Sequence, residues 1–316
     1  MALAARKALH SLDRQSTSFW SPEQLAYLEL IKASVIGAGR KSRYVGASPR
    51  FPQQDSPAIL ADPGTQYHKT DCWACSFDCY RRATMLEPIV VDILRAKVKG
   101  DFLEAGVYLG GISIALMGML HATGQLGRRK VWFADSFQGL PPEGYSSGFA
   151  KRMATQESAT ELNSMIGRYG AGKLSGTLSV VQDNVRHCLK HVHGLVSQAP
   201  PNYEAARFLP GFFNETLRNP RISRLALLRL DGDLYASVYE ALEALYPRLS
   251  IGGYVVIDDW KLAQARGAVL RYRERYNVTE HIWSSRPSQT LPFQTLDTLA
   301  FWMKREEHAS WPEVRI

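Results

Sequence analysis

The sequence has few cysteines, no long apolar run and no segment dominated by charge of one sign. Four cysteines in 316 residues are too few for a disulfide-rich secreted scaffold, so we expect a reducing compartment and a cytoplasmic protein. No apolar run reaches the roughly 20 residues that a membrane helix needs, which argues against a transmembrane protein. The first twelve residues carry Arg6 and Lys7 but no apolar segment of secretory length. This excludes an ordinary export signal and leaves an organellar transit peptide open.

Positive charge is in modest excess and is not concentrated. The 38 Lys and Arg residues exceed the 30 Asp and Glu residues by 8, a balance that suits either a polyanionic partner or only a soluble surface. The densest basic clusters, at residues 40–43 and 271–275, are short and form no continuous stripe. Nucleic acid is therefore not the expected partner, although a basic nucleic-acid-binding protein stays open as an alternative.

The N-terminal third contains helix signals around a long irregular segment. Ser21-Pro22-Glu23-Gln24 combines a capping hydroxyl, a first-turn proline and a glutamine at the third helical position, which predicts that a helix begins there. Residues 37–70 are rich in glycine, proline and polar residues without a steady period, so we predict a surface lid. A second helix is expected over residues 77–97, broken at Pro88.

Beyond residue 98, short apolar runs alternate with helical stretches. Because the runs lack polar alternation, they are typical of strands covered on both faces, and the alternation predicts an α/β fold with a doubly wound, mostly parallel sheet. We therefore divide the chain into an N-terminal helical and lid segment, 1–98, and an α/β domain, 99–316. Ligands of such sheets bind at the carboxyl ends of the strands. The six predicted strands are Phe102-Leu103, Val131 to Ala134, Leu178 to Val181, Leu225 to Leu228, Tyr254 to Ile257 and Leu299 to Trp302.

A glycine-containing turn follows the first predicted strand, and an acid ends the second. The turn, residues 104–111, has G-x-x-x-G-G spacing instead of the G-x-G-x-x-G of dinucleotide-binding proteins. Its glycines allow a close approach of the backbone to a ligand. Asp135 stands where an acid commonly accepts hydrogen bonds from ribose hydroxyls, although it could instead cap a helix. Together these features indicate a nucleoside cofactor without a diphosphate, such as S-adenosylmethionine.

Acidic pairs follow the strands that end near Leu230 and Ile257. Asp231 and Asp233 come after the first of these strands, and Asp258 and Asp259 directly follow the second. Four carboxylates at one rim of the sheet need a compensating cation. Oxygen-only ligands favour magnesium or calcium over zinc.

Five motifs in this order resemble those of the macrocin O-methyltransferase family, over about residues 75–305. Members of that family methylate sugar hydroxyls of macrolide and aminocoumarin antibiotics with S-adenosylmethionine and magnesium. The resemblance implies a seven-stranded, Rossmann-like class I methyltransferase sheet. The motifs are GDFLEAGV at residues 100–107, ADSFQGLP at 134–141, RFLPGFF at 207–213, LRLDGDLY at 228–235 and VIDD at 256–259.

The resemblance also implies roles for individual residues. Asp231, Asp258 and Asp259 would bind Mg2+, which would act as Lewis acid and template for the acceptor hydroxyl, and Asp233 would be the general base. The partner would be a small hydroxyl-bearing acceptor such as a glycoside, without a membrane, and a homo-oligomer is left open. Residues implied at the cofactor are Glu104, Gly106, Val107, Tyr108, Ser113, Asp135, Ser136 and Asp183.

Departures from the family pattern concern the acceptor side of the site. Tyr108 and Leu109 stand where the family often has a tryptophan and an arginine, and residues 190–203 look lengthened. Cys72, Cys75 and Cys79 have C-x-x-C-x-x-x-C spacing, which permits a metal site completed by Cys188 or His68 but favours packing thiols beside the lid.

The family resemblance leaves one alternative within the same chemistry. It is a metal-dependent O-methyltransferase of a catechol or another vicinal diol, which would use the same carboxylates for a different acceptor.

Overall fold

The computed structural model describes residues 19–35, 79–139, 176–196, 203–219, 221–284 and 299–306, and only the backbone of 33–34, 79–81 and 190–196. The predicted lid at residues 37–70 lies outside these ranges, as do Cys72 and Cys75. In the described ranges, no helix combines the length and the hydropathy needed to cross a membrane. The division of the chain at residue 98 stays a prediction.

Seven strands form one sheet in the order β3-β2-β1-β4-β5-β7-β6. The first five strands pair in parallel, and β7 runs antiparallel to both β5 and β6. The order reverses between β1 and β4, which places the ligand crevice of a doubly wound sheet at their carboxyl ends. The predicted α/β, mostly parallel seven-stranded sheet is confirmed. Its strands are β1 Asp101–Ala105, β2 Val131–Asp135, β3 Ala206–Pro210, β4 Leu225–Leu230, β5 Leu249–Ile257, β6 Trp283–Ser284 and β7 Ala300–Met303.

Helices cover both faces of the sheet and bury two apolar cores. Consecutive strand residues point to opposite faces, so Phe102 lies in one core and Leu103 in the other. Buried residues of α1 to α4 fill the first core, and those of α6 and α7 fill the second. The α-helices are α1 Pro22–Val35, α2 Cys79–Arg95, α3 Gly111–Ala122, α4 Leu178–Val196, α5 Phe213–Thr216, α6 Tyr235–Leu245 and α7 Ala263–Arg275, with 3-10 turns at Tyr203–Ala205 and Tyr246–Arg248.

The prediction of a strand at Leu178 to Val181 is wrong, because this run begins α4. The hydroxyl of Thr177 accepts a hydrogen bond from the amide of Val180 at 3.4 Å, and apolar side chains then recur at helical spacing, with Val181, Val185 and Leu189 all buried. The third strand is instead β3, Ala206–Pro210, which contains part of the RFLPGFF motif.

The prediction that Pro88 breaks the second helix is also wrong, since α2 continues through it from Cys79 to Arg95. A proline in a helix interior costs about 3 kcal/mol. Leu86 and Ile89 beside it are fully buried in the first core, and burying two such side chains stabilises by about 3 to 6 kcal/mol. Packing therefore outweighs the lost backbone hydrogen bond.

The predicted capping box at the start of α1 is confirmed. The Ser21 hydroxyl accepts a hydrogen bond from the Gln24 amide at 3.2 Å, and the Gln24 side-chain oxygen accepts one from the Ser21 amide at 2.8 Å.

Two contacts attach the N-terminal helices to each other and to the sheet. Lys32 of α1 is buried and forms a 2.7 Å ion pair with Glu87 of α2. The hydroxyl of Tyr254, on β5, donates to Asp92 of α2 at 2.6 Å.

Cys188 differs from the expectation of reduced cysteines. It is fully buried in α4 and is disulfide-bonded. The side chains of the chain's other three cysteines lie outside the described part of the chain.

Candidate active site

The turn after β1 is built by backbone conformations that require glycine. Gly106 has φ 93°, and a Cβ atom there would lie 1.9 Å from the carbonyl oxygen of Asp231. Tyr108 also adopts positive φ, at 50°. Gly110, with φ 92°, precedes α3 as its N-cap. The turn thus passes directly against the end of β4 and leads into the N-terminus of α3.

Asp135 at the end of β2 organises this turn. One oxygen of its carboxylate accepts hydrogen bonds from the amides of Val107 at 2.7 Å and Tyr108 at 3.2 Å, and the other accepts from the amide of Phe137 at 2.8 Å. Burial raises the pKa of Asp135, while these amide donors act to lower it. The hydroxyl of Ser136 also donates to this carboxylate at 3.4 Å, so Asp135 has four donors for about four lone-pair sites. Ser136 stabilises the turn after β2, where its hydroxyl accepts from the Gln138 amide at 3.1 Å.

Glu104 faces the protein interior and joins two parts of the site. Its carboxylate forms an ion pair with Arg229 and accepts a hydrogen bond from the hydroxyl of Ser113, which lies in α3. Burial raises the pKa of Glu104 to about 7, although Arg229 and Ser113 act to lower it. The contact between Glu104 and Ser113 joins β1 to α3, and a role for either residue at the cofactor stays a prediction.

Three carboxylates from two neighbouring strand ends form a compact group. Asp231 follows β4, and Asp258 and Asp259 follow β5, so the parallel pairing of these strands brings them to one edge of the sheet. One carboxylate oxygen from each lies within 4.8 Å of the others. The predicted metal ligands are thus brought together.

The chemistry of this group fits a hard divalent cation. All the donors are oxygens, as Mg2+ prefers. Oδ2 of Asp259 is buried and has no hydrogen-bond partner among the described residues. Burial and the negative charges of Asp233, Asp231 and Asp258 raise the pKa of Asp259 well above its usual value. A divalent cation would offset the repulsion among these crowded carboxylates.

Asp233 stands beside the three carboxylates in a strained conformation. Its φ is 55°, a left-handed value that non-glycine residues rarely adopt and that often marks a functional site. Desolvation and the neighbouring charge of Asp231 raise the pKa of Asp233 to about 7. At that pKa it is a stronger base than an ordinary aspartate.

Two arginines that sequence reasoning missed neutralise the acids. Arg229, in β4, is fully buried and forms ion pairs with Glu104, with Asp231 at 2.9 Å and with Asp258 at 2.5 Å. Arg82, in α2, contacts Asp258 and lies 3.8 Å from Asp231. A charge inside the apolar strand LALLRL was a signal for Arg229, since a buried charge needs partners. Nothing in its local sequence distinguishes Arg82 from its neighbour Arg81.

The structure does not bring Asp183 into contact with the turn. Its side chain is exposed on α4 and forms a 3.0 Å ion pair with Arg186. The next residue, Asn184, instead donates a hydrogen bond to the carbonyl oxygen of Leu109 at 2.9 Å. A role for Asp183 at the cofactor stays a prediction.

The fold and the site together define a class of protein. The strand order, with an antiparallel β7 inserted between β5 and β6, a glycine-containing turn after β1 and an acid at the end of β2 are the features of a class I methyltransferase that uses S-adenosylmethionine.

Comparisons with known proteins identify the family. The model of the macrocin O-methyltransferase (TylF) family matches residues 72–285, and the chain belongs to this family. It is 39% identical over 203 residues, 64% of this chain and 69% of the other, to 8-demethyl-8-(2,3-dimethoxy-alpha-L-rhamnosyl)-tetracenomycin-C 4'-O-methyltransferase of Streptomyces olivaceus. It is 34% identical over 205 residues, 64% of this chain and 69% of the other, to demethyldecarbamoylnovobiocin O-methyltransferase of Streptomyces niveus.

A solved structure agrees with this assignment. The O-methyltransferase NovP superposes with a TM-score of 0.61 at 26% identity, covering 90% of this chain and 100% of NovP. The protein is therefore an S-adenosylmethionine-dependent O-methyltransferase.

Proposed function

We propose that the protein methylates a sugar hydroxyl of a glycoside, with Mg2+ held by Asp231, Asp258 and Asp259. The carboxylate group beside the turn after β1 carries this proposal, because it would offer a cation site next to the place where the methyl donor would bind. A sugar acceptor is supported by the Streptomyces olivaceus relative, whose name specifies a rhamnosyl substrate.

The cofactor half of the site would position the methyl donor. The amides of the turn and the Asp135 carboxylate would contact S-adenosylmethionine, with Gly106, Val107 and Tyr108 forming the wall. Methyl transfer from a sulfonium is an in-line displacement, in which the carbon–sulfur bond breaks as the new carbon–oxygen bond forms. Holding donor and acceptor in line therefore supplies much of the catalysis.

The acidic half would deprotonate the acceptor. A sugar hydroxyl is hardly ionised near neutral pH, and Mg2+ supplies, when bound, a Lewis acid that lowers the pKa of such a hydroxyl. Asp233 would accept the proton on its carboxylate as the methyl group is transferred. Arg229 holds Asp258 and Asp231 from behind, which fixes the carboxylates before any ligand arrives.

Two variants separate binding of the cation from proton transfer. We expect Asp259→Asn to lose Mg2+ binding by calorimetry, because it removes a ligand charge. Asp233→Asn should keep binding of both Mg2+ and S-adenosylmethionine but lower turnover by about 100- to 10,000-fold, the usual contribution of a general base. Turnover is measured with methyl-labelled cofactor, Mg2+ and a panel of glycosides and catechols.

The matched control is Glu274→Gln, which removes an exposed carboxylate that pairs with Arg271 on α7. It should behave as the wild type. Full turnover in excess chelator would overturn the role of Mg2+. Methylation of catechols but of no glycoside would overturn the sugar acceptor while leaving the metal assignment intact.

A further inference from the structure

Arg82 reaches the acidic site from outside the sheet. It lies in the first turns of α2, and its side chain is 20% exposed, whereas that of Arg229 is fully buried. Its guanidinium contacts Oδ2 of Asp258 and lies 3.8 Å from Oδ2 of Asp231. Arg82 is thus paired with two of the three proposed metal ligands.

The two oxygens of Asp258 are divided between two arginines. Oδ1 pairs with Arg229, which has no exposed surface and also holds Glu104 and Asp231, so this contact is fixed within the fold. Oδ2 faces Arg82. Because Arg229 holds Oδ1, the oxygen of Asp258 left for a metal ion is Oδ2, which is the atom that Arg82 contacts.

The side chain of Arg82 is able to leave while its helix stays. The α2 backbone is attached to the sheet by the hydrogen bond between Tyr254 and Asp92 and to α1 by the ion pair between Glu87 and Lys32. Arg82 itself is partly exposed on a long, flexible stem. Rotation of this one side chain would free Oδ2 of Asp258 while Arg229 keeps Oδ1.

We infer that Arg82 is a resident counter-cation that occupies the acidic site before metal binding and is displaced from Asp258 and Asp231 when Mg2+ binds. The inference rests on the proposed metal site. A guanidinium and a divalent cation at the same carboxylate oxygens repel each other, so the two compete for them. Arg82 therefore sets the affinity for Mg2+ through its own affinity for Asp258, without being a ligand or a catalytic residue.

If Arg82 only held Asp258 in place, its removal would change the Mg2+ affinity in the opposite direction. If Arg82 stayed on Asp258 and held that carboxylate in place for the metal, its removal would weaken Mg2+ binding. If Arg82 competes, removal strengthens binding. Arg229 already fixes Asp258 from the interior, which leaves little for a second brace to do.

The experiment measures the Mg2+ dissociation constant of the full-length protein by calorimetry. Arg82→Gln should bind Mg2+ about 2- to 150-fold more tightly than the wild type, the range that coupling between contacting residues usually gives. Arg82→Lys, which keeps the charge, should lie closer to the wild type. Arg271→Gln removes an exposed arginine on α7 and should leave the constant unchanged. The rise in melting temperature on adding Mg2+ should be larger in Arg82→Gln.

A second measurement needs no stable variant. In the wild type, the side-chain NMR signal of Arg82 should change from a protected ion pair to a solvent-exchanging group as MgCl2 is added. Equal or weaker Mg2+ binding by Arg82→Gln, or an Arg82 signal that does not respond to saturating MgCl2, would overturn this inference but leave the metal assignment intact. No Mg2+ binding by either the wild type or Arg82→Gln would overturn the inference together with the metal assignment.

Discussion

The two halves of the active site are formed by different groups, backbone amides in one and charged side chains in the other. The cofactor half, at the ends of β1 and β2, is a backbone structure in which positive φ angles at Gly106 and Tyr108 aim amides at one carboxylate, Asp135. The acidic half, at the ends of β4 and β5, is made of side-chain charges held by arginines. The first half is neutral apart from Asp135, and the second concentrates carboxylates that repel one another.

Under the proposed function, this difference would let one sheet bind two reactants. A backbone turn is rigid and recognises shape, which suits a cofactor that is the same in every turnover. A charge cluster changes its state when a cation or proton arrives, which suits activation of a hydroxyl. The halves meet at Glu104, which lies in β1 but pairs with Arg229 of β4.

The largest effect is expected from breaking that junction. Arg229→Met keeps much of the side-chain volume but leaves Glu104 and Asp258 buried without their common cation. Breaking a buried ion pair by removal of one partner typically costs about 3 to 5 kcal/mol. We expect a loss of this size in the free energy of unfolding from urea denaturation, with weaker binding of both S-adenosylmethionine and Mg2+.

Arg271→Met is the control for this prediction, because its partner Glu274 is exposed and surface pairs contribute less than about 1 kcal/mol. A loss of less than 1 kcal/mol in the free energy of unfolding of Arg229→Met would contradict the role of Arg229 as the link between the two halves. So would weaker binding of only one of the two ligands, because the halves would then be independent.

A smaller effect, confined to the cofactor half, is expected from Asp135→Ala. The change leaves the amides of Val107 and Tyr108 and the ribose hydroxyls without their acceptor. Hydrogen bonds to charged groups contribute about 1.5 to 3 kcal/mol, so affinity for S-adenosylmethionine should fall about 10- to 150-fold. Mg2+ affinity should not change, and calorimetry measures both.

Asp101→Ala is a matched control at the opposite end of the same strand pair. Asp101 accepts hydrogen bonds from the Lys130 amide and the Trp132 indole, both at 2.9 Å. Its loss should lower stability without changing cofactor affinity. An unchanged cofactor dissociation constant in Asp135→Ala would reduce Asp135 to a support of the turn.

The two halves also differ in how much of them the sequence predicts. Acids that follow parallel strands must gather at one edge, so the proximity of Asp231, Asp258 and Asp259 follows from strand order alone. The ion pairs between arginines and these acids do not follow from strand order. The contact of Arg82 with Asp258 joins a residue of α2 to the residue that follows β5, and no local pattern encodes it.

Local sequence misleads where it fits two structures. The run Leu178 to Val181 is apolar enough for a strand, and only the later recurrence of Val185 and Leu189 at helical spacing identifies α4. Pro88 is a helix breaker by itself, and burial in the tertiary structure overrides it. On α4 the Asp183 side chain pairs with Arg186 while Asn184 contacts the turn, because the packing of a helix sets the direction of each side chain.

The smallest predicted effect is a pH dependence at the junction of the two halves. Burial raises the pKa of Glu104 to about 7 from its usual 4.5. Between these values the native protein keeps a proton that the unfolded chain has released, so stability must fall as pH rises through the window. We expect the metal-free protein to lose on the order of 2 kcal/mol between pH 5 and 7.5, because each unit of the pKa shift is worth about 1.4 kcal/mol and part of the shift lies outside this window.

Glu104→Gln isolates this contribution, because glutamine has the shape of the protonated acid and does not titrate. His121, whose pKa is lowered by burial, stabilises the protein as pH rises toward 6.5 and so acts in the opposite direction. The quantity to measure is therefore the difference between wild type and Glu104→Gln in unfolding free energy across pH 5 to 7.5. That difference should shift steadily in favour of Glu104→Gln with rising pH. Parallel curves would mean that Glu104 is already ionised at pH 5 and that its pair with Arg229 is a permanent part of the fold.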